Sequence, residues 1–288
     1  MEIYNLEKLP EPFRSAIQND EYDAGVNVVA SATTIIKPVR VTKLRKEYYK
    51  DIKENAVRRV SALLGTAVHS IVEKHGEKLG WIVEQRMYGI SNSGHSFSGQ
   101  LDALIPNEDG THSIQDYKVV PSFKHNQFGE YEDQLNIQAV LATQAGYKIR
   151  DLQIVAVFKD WMESRTGDPD KYPDLPIMQY SVPIKPYDEM MDWIDNKLNQ
   201  ITGDEIPECT DEERWIRESK WAVYKPKGKR AIRVFLDGSE AEEFNNKELA
   251  GKGTIEHRRA TPIRCAQNYC GVAEFCSQWK EEEHLWKL

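Results

Sequence analysis

The stretch from Phe97 to Val120, FSGQLDALIPNEDGTHSIQDYKVV, constrains the fold most, because it predicts two strands joined by a polar turn. Its first half carries Asp102 and its second half carries Asp116 and Lys118. Side chains alternate across a strand, so Asp116 and Lys118 are predicted to project from one face that Asp102 can reach. Carboxylates at one spot repel each other, which favours a divalent cation between them. The alternative is a hairpin with solvated charges on its open face.

Composition describes a soluble globular protein: the 288 residues are 40% hydrophobic and 29% charged. No apolar run approaches the roughly 20 residues that span a bilayer, and the N-terminus has no apolar secretory segment. We therefore expect an intracellular, cytoplasmic protein with no membrane partner. The net charge of −8 argues against indiscriminate coating of nucleic acid but permits a local basic groove.

Two tracts rich in basic residues, Lys37–Arg59 and Lys225–Arg233, could follow a phosphate backbone. The side chains that we expect to contact such a backbone are Lys43, Arg45, Lys46, Lys227, Lys229 and Arg230. A solvated charged face is the alternative interpretation.

A helix is predicted from about Asn55 to Lys74, because apolar residues recur at near-helical spacing and indicate one buried stripe. Gly65 and His69 lie one turn apart on its flank. A glycine inside a helix costs about 1 kcal/mol relative to alanine, so Gly65 suggests close approach by another group. His69 is then a candidate for binding a metal or a phosphate.

The predicted order of elements is helix, three strands, helix, strand, which indicates an α/β core with one sheet flanked by helices. The helices lie near 55–74 and 130–147, and the strands near 81–90, 96–105, 112–120 and 151–158. On the second helix, Gln134 and Gln138 share a face and could donate hydrogen bonds to phosphates or bases. Residues 163–186 are predicted to be a loop, and residues 187–201 a helix. We expect an N-terminal helical and basic segment at 1–54, a core at 55–202 and a C-terminal lobe at 203–288.

All four cysteines lie in the last third of the chain, and in an intracellular protein this favours thiolate coordination over disulfides. They are Cys209, Cys265, Cys270 and Cys276. Four thiolates suit a tetrahedral zinc ion or a cubane iron–sulfur cluster that staples Cys209 to the C-terminal tail. Four unrelated buried cysteines are the alternative.

Three motifs resemble those of the RecB-like branch of the PD-(D/E)XK nuclease superfamily. Residues 65–69 (GTAVH) resemble its GxxxH motif, residues 99–102 (GQLD) its GxxD motif, and residues 116–118 (DYK) its (D/E)xK motif. Gln134 matches the glutamine of the QxxxY motif, and Gln138 takes the place of the tyrosine. The resemblance implies a restriction-endonuclease-like αβββαβ core, with one mixed sheet flanked by helices.

The tail from Tyr269 to Cys276 resembles the C-terminal part of the iron–sulfur clamp in CRISPR-associated adaptation nucleases and AddB-type helicase–nucleases. Two features depart from that clamp: Cys209 follows the core, and the gap from Cys265 to Cys270 is one or two residues wider. On this resemblance a [4Fe–4S] cluster is expected, with structural zinc as the alternative. The overall likeness is to RecB-like nucleases carried by bacteriophages.

The resemblance implies a Mg²⁺- or Mn²⁺-dependent DNA nuclease, and more specifically an exonuclease that acts on single-stranded or end-containing DNA by two-metal-type phosphodiester hydrolysis. The expected metal ligands are His69, Asp102, Asp116 and the carbonyl of Val119. Lys118 would position or polarise the attacking water, and Gln134 would donate a hydrogen bond near the site.

Two other functions stay open: a non-catalytic module that binds DNA or a partner protein on a nuclease fold, and a structure-specific endonuclease. The expected partner is DNA, with a helicase or recombination protein as a further partner. The pathway could be recombination, repair, or phage replication in the host cytoplasm.

Overall fold

Helices and strands alternate along the chain in the computed structural model, which describes residues 1–19 and 27–285. The helices are α1 (Glu11–Gln18), α2 (Ala32–Ile35), α3 (Val39–Glu47), α4 (Val60–Gly76), α5 (Gly129–Gln144), α6 (Tyr187–Thr202), α7 (Gly238–Leu249), α8 (Ile263–Ala266) and α9 (Ser277–Glu282). The strands are β1 (Glu2–Tyr4), β2 (Ala30–Ser31), β3 (Lys53–Asn55), β4 (Ile82–Ile90), β5 (Ser96–Pro106), β6 (His112–Val120), β7 (Ile149–Phe158), β8 (Ile177–Val182), β9 (Lys220–Tyr224), β10 (Ala231–Phe235) and β11 (Thr254–Arg258).

The protein has an α/β fold in which helices flank a mixed sheet. The elements α4, β4, β5, β6, α5 and β7 follow each other in the predicted order of helix, three strands, helix and strand. The chain forms two compact units, one of residues 1–42 and 50–205 and one of residues 43–49 and 206–288. The α4–β7 segment lies in the first unit.

The main sheet places β5 and β6 at its centre. β4 and β6 both pair with β5 in antiparallel orientation, β7 pairs with β6 in parallel, and β8 pairs with β7 in antiparallel orientation. The parallel β6–β7 pair needs a crossover connection, and α5 supplies it.

One edge of β5 is shared by two partners. β2 pairs in parallel with Phe97 and Ser98, and β6 pairs with residues 103–106, whereas β4 runs along the other edge. Within the described ranges, residues 99–102 therefore have no strand partner on the shared edge. N-terminal residues thus contribute a strand to the sheet that carries the predicted site.

The core of this unit is built around α5, which contacts both the sheet and α6. Its side chains Leu135, Ile137 and Leu141 are fully buried, as are Leu101 of β5 and Ile154 of β7. Each fully buried aliphatic side chain of this size contributes about 1.5–3 kcal/mol. This packing fixes α5 over the centre of the sheet, and with it the two glutamines at positions 134 and 138.

The prediction of one buried apolar stripe on the helix at 55–74 is wrong. In α4, Leu64 is 46% exposed and Ile71 is 62% exposed. The reason is that the sequence VSALLGTAVHSIV is apolar on most sides of the helix, while only one side can face β4, β5 and β6. The helix itself is observed, from Val60 to Gly76, against the predicted span of about Asn55 to Lys74.

Five strands were missed by the sequence analysis: β1, β2 and β3 in the segment predicted to be helical and basic, and β8 and β11. β8 lies inside the predicted loop at 163–186, where prolines precede its alternating residues IMQYSV. β11 completes a three-stranded antiparallel sheet in the order β10-β9-β11 in the second unit. The unit also contains the acidic helix α7.

No helix in the described ranges combines the length and the apolar character needed to cross a membrane.

Gly99 is predicted to be essential for the packing of α5 on β5. A Cβ at this position would lie 2.7 Å from Leu141 Cδ1, and Leu141 is fully buried and cannot move aside freely. Gly99→Ala should therefore lower the free energy of unfolding by about 1–3 kcal/mol, measured by urea denaturation. Gly129→Ala is the control, because nothing lies within 4 Å of its added Cβ. Equal stability of the two variants would contradict this packing.

Candidate functional site

Residues from seven elements line a cavity of about 410 Å³ in the first unit. Five of the predicted site residues line it together: His69 of α4, Asp102 of β5, Lys118 of β6, and Gln134 and Gln138 of α5. These five residues lie up to 69 positions apart in the sequence. The fold therefore brings together side chains that were selected from separate motifs. Asp116 and Val119 do not line the cavity, and the Val119 carbonyl stays a prediction.

His69 lies against two carboxylates. Its Nδ1 is 2.8 Å from Glu84 Oε1 and 3.6 Å from Asp102 Oδ1. The three residues offer ligand atoms within 4.8 Å of one another, so together they could hold a metal ion.

Glu84 is the functional candidate that the sequence analysis missed. It lies in β4 between Val83 and Gln85, which pair with Ala103 and Leu101, so it stands beside Asp102 across the two strands. Its φ of 48° is unusual for a residue other than glycine, and such conformations cluster at functional sites. The available signal was an acidic residue inside the apolar start of a strand, WIVEQ.

The Asp102 side chain is only 9% exposed, and its Oδ2 accepts a hydrogen bond of 2.8 Å from the backbone N–H of Tyr117. Burial raises the pKa of Asp102 to about 7, and the nearby negative charge of Asp116 adds to the rise. His69, Lys118 and the Tyr117 N–H act in the opposite direction. Asp102 thus carries its charge at a cost that a bound cation would offset.

Asp116 is 1% exposed and is held from two sides. Its Oδ1 accepts a hydrogen bond of 3.0 Å from Gln134 Nε2, and its Oδ2 lies 2.6 Å from Lys118 Nζ. The Lys118 contact is an ion pair by distance but lacks hydrogen-bond geometry, so among the described residues Oδ2 has no hydrogen-bond partner. Lys118 Nζ also lies 5.0 Å from the centre of the Tyr131 ring, so the ammonium has a cation–π contact.

The contact between His69 and Glu84 shifts the pKa of each group in the direction that favours its charged form. The hydrogen bond to Glu84 raises the pKa of His69, although burial acts against it. Burial acts to raise the pKa of Glu84, but hydrogen bonds from His69 and Gln100 outweigh it and lower the pKa.

The Gln138 side chain is 1% exposed, so its route to a ligand is through the cavity that it lines. Its Nε2 donates a hydrogen bond of 2.9 Å to the Gln100 carbonyl. Its Oε1 is buried and has no hydrogen-bond partner among the described residues. An unpaired buried acceptor is costly, which points to a donor supplied by a ligand or a water.

Gly65 borders the same cavity, and no heavy atom lies within 4 Å of a Cβ placed there. The close approach expected at Gly65 is therefore not made by a neighbouring protein group.

The four cysteines carry thiols, all in the second unit, and three are half-buried while Cys276 is buried. Burial raises the pKa of Cys209 to about 12, and negative charge on the other three thiols would raise it further. The Arg214 side chain donates a hydrogen bond to Cys265, which counteracts the rise that burial causes in the pKa of Cys265. No three of these sulfurs lie within 4.8 Å of one another.

The predicted DNA-contacting side chains differ in exposure. Lys43 and Arg45 are half-buried, whereas Lys46 of α3 is exposed. The exposed turn between β9 and β10 carries Lys227, Lys229 and Arg230. Their contacts with DNA stay predictions.

Comparison with known proteins assigns no family. No protein-family model matches the chain, and no curated protein matches it. A solved structure titled "Crystal structure of SSO0001" is 15% identical over 65% of this chain and 82% of that chain, with a TM-score of 0.48.

The raised pKa of Asp102 predicts a pH-dependent stability. A carboxyl whose pKa is higher in the folded state than its ordinary 3.8 stabilises the fold when protonated, and this stability is lost as the pH rises through about 7. Asp102→Asn cannot ionise, so in EDTA at pH 8 it should be more stable than the parent by about 1–4 kcal/mol.

Urea denaturation at pH 5 and pH 8 measures the free energy of unfolding of the parent and of Asp102→Asn. The difference between the two proteins should be smaller at pH 5 than at pH 8. Glu108→Gln removes an exposed carboxylate from the β5–β6 turn and should change stability little at either pH. A constant difference between the parent and Asp102→Asn at both pH values would contradict the raised pKa.

Proposed function

We propose that the protein is a Mg²⁺- or Mn²⁺-dependent DNA nuclease. The observation that supports this most is the shared cavity of His69, Asp102, Lys118 and Gln134, which were selected from separate motifs. A cavity of about 410 Å³ falls within the range of small-molecule sites and suits one nucleotide unit at the point of cleavage.

The donor set fits a divalent cation. Asp102 and Asp116 would provide carboxylate oxygens, and His69 would provide an imidazole nitrogen. The Val119 carbonyl is the further ligand that we propose. A bound cation supplies Lewis-acid activation of a water molecule and neutralises charge on the phosphate. A nitrogen ligand favours Mn²⁺ somewhat over Mg²⁺.

Lys118 and Gln134 would have the remaining roles in catalysis. Lys118, held by Asp116 at 2.6 Å, has an ammonium group that can orient the attacking water or stabilise charge on the phosphoryl oxygens. Gln134 keeps Asp116 in place, and its Oε1 also accepts a hydrogen bond of 3.5 Å from Lys118 Nζ. These contacts hold the ammonium in one position before the substrate arrives.

We propose an exonuclease that acts on single-stranded or end-containing DNA by a two-metal-type mechanism, in a phage or recombination and repair setting with a helicase or recombination partner. The exposed β9–β10 turn would add phosphate contacts through Lys227, Lys229 and Arg230. Its contribution would weaken as the salt concentration rises.

The function is tested by incubating fluorescent DNA, single- and double-stranded, linear and circular, with the protein and Mg²⁺ or Mn²⁺. We expect cleavage that EDTA stops, and we expect linear DNA to be degraded while circular DNA survives. Asp116→Ala and Lys118→Ala should each reduce the rate at least about a hundredfold, since each removes a group that acts on the reacting phosphate or water.

Lys148→Ala is the matched control, because Lys148 is exposed and lies outside the cavity. Thermal unfolding of each variant shows whether the fold is retained. Full activity of a folded Asp116→Ala protein would exclude this mechanism, and tight DNA binding without cleavage in every metal would favour the non-catalytic binding module.

We further propose that the four cysteines hold a [4Fe–4S] cluster. The support is the likeness of residues 269–276 to the iron–sulfur clamp, together with the four thiols that lie in one unit of the fold. The Arg214 guanidinium beside Cys265 would offset part of the negative charge of a thiolate cluster.

Anaerobic purification should yield a brown protein with a broad visible absorbance band and about four iron atoms per chain. Cys270→Ser should lose the band, because it removes one ligand. A colourless protein that contains one zinc per chain would reverse the assignment.

A further inference from the structure

We propose that Glu84 is a metal ligand, so that the cation binds to a face formed by His69, Glu84 and Asp102. None of the nuclease-like motifs includes Glu84. Only the catalytic role of the cation rests on the proposed function. Binding of the cation does not, because it can be measured without DNA.

The distances suit ligands of one ion. His69 Nδ1 lies 2.8 Å from Glu84 Oε1 and 3.6 Å from Asp102 Oδ1. Adjacent ligands of an octahedral ion with bonds of about 2.1 Å lie roughly 3 Å apart. Two carboxylate oxygens and one imidazole nitrogen therefore already occupy neighbouring positions, and open space in the cavity adjoins all three residues.

Each carboxylate is anchored by its other oxygen. Gln100 Nε2 donates a hydrogen bond of 2.6 Å to Glu84 Oε2, and the Tyr117 N–H donates one of 2.8 Å to Asp102 Oδ2. The anchored oxygens leave Oε1 and Oδ1 directed at His69. Hydrogen bonds of this kind fix the orientation of metal-ligating carboxylates.

The backbone supports the same conclusion. Glu84 has a φ of 48° although it lies within β4, and its side chain is 18% exposed. A strand residue other than glycine adopts this conformation only where the surroundings require it. In this backbone conformation the Glu84 carboxylate borders the cavity and contacts His69 Nδ1.

A buried acceptor in the same cavity points independently to a ligand. Gln138 is 1% exposed, and its Oε1 has no hydrogen-bond partner among the described residues. A water molecule bound to the cation would offer the hydrogen that this oxygen needs. The charge pairing among His69, Glu84 and Asp102 does not account for the unpaired Oε1.

The competing role for Glu84 is to position His69 through the Nδ1 contact without touching the cation. Glu84→Gln separates the two roles, because an amide oxygen still accepts a hydrogen bond from His69 but is a much weaker metal ligand than a carboxylate.

Mn²⁺ binding to the full chain without DNA is measured by isothermal titration and by electron paramagnetic resonance. We expect Glu84→Gln to weaken binding at least tenfold while the hyperfine coupling from a histidine nitrogen persists at saturating Mn²⁺. Glu108→Gln, an exposed carboxylate outside the cavity, should bind Mn²⁺ within twofold of the parent. Should Glu84→Gln fail to fold, as judged by thermal unfolding, Glu84→Asp takes its place. This variant keeps the charge but shortens the reach, and the same weakening is expected.

Unchanged Mn²⁺ affinity in the folded variant would overturn the proposal. A weakened affinity accompanied by loss of the histidine-nitrogen coupling would overturn it as well, because Glu84 would then act only through His69. Failure of the parent to bind Mn²⁺ excludes both the site and the nuclease. Normal Mn²⁺ binding through Glu84 without DNA cleavage would exclude the nuclease alone.

Discussion

The pairing of β5 with β4 on one side and β6 on the other is the constraint on which the candidate site depends. It places Glu84, Asp102 and Asp116 on three neighbouring strands, where Asp102 and Asp116 are removed from water. Carboxylates in such a place repel one another and lose their hydration. The surrounding structure must therefore supply positive charge and hydrogen-bond donors, and the neighbouring side chains do so.

The positive charges and hydrogen-bond donors that offset the buried carboxylates lie on two sides of Asp102. On one side His69 meets Glu84, and on the other Lys118 meets Asp116, with Gln134 and the Tyr117 N–H donating further hydrogen bonds. The compensation at Asp102 is incomplete, since burial still raises its pKa to about 7. A buried carboxylate with a raised pKa is typical of functional sites. A cation bound beside it would supply the positive charge that the neighbouring side chains do not.

The sequence predicted the parts of the site that depend on local geometry. The two-residue period of a strand placed Asp116 and Lys118 together, and the helical period placed Gln134 near Gln138. It could not predict Glu84, because the partner of a strand residue is set by the register between strands. It also assigned the apolar residues of α4 to the core. Hydropathy alone does not state how much of a helix surface the neighbouring elements can cover.

The division of one edge of β5 between β2 and β6 changes how that edge is hydrogen-bonded. Where the two strands part, at residues 99–102, the sheet forms a fork, and side chains take over the bonds that a continuous ladder would make. Gln138 binds the Gln100 carbonyl there, and Asp102 receives the N–H of Tyr117. At these residues the links on the shared edge of β5 are therefore side-chain hydrogen bonds, in place of the backbone bonds of a strand pair.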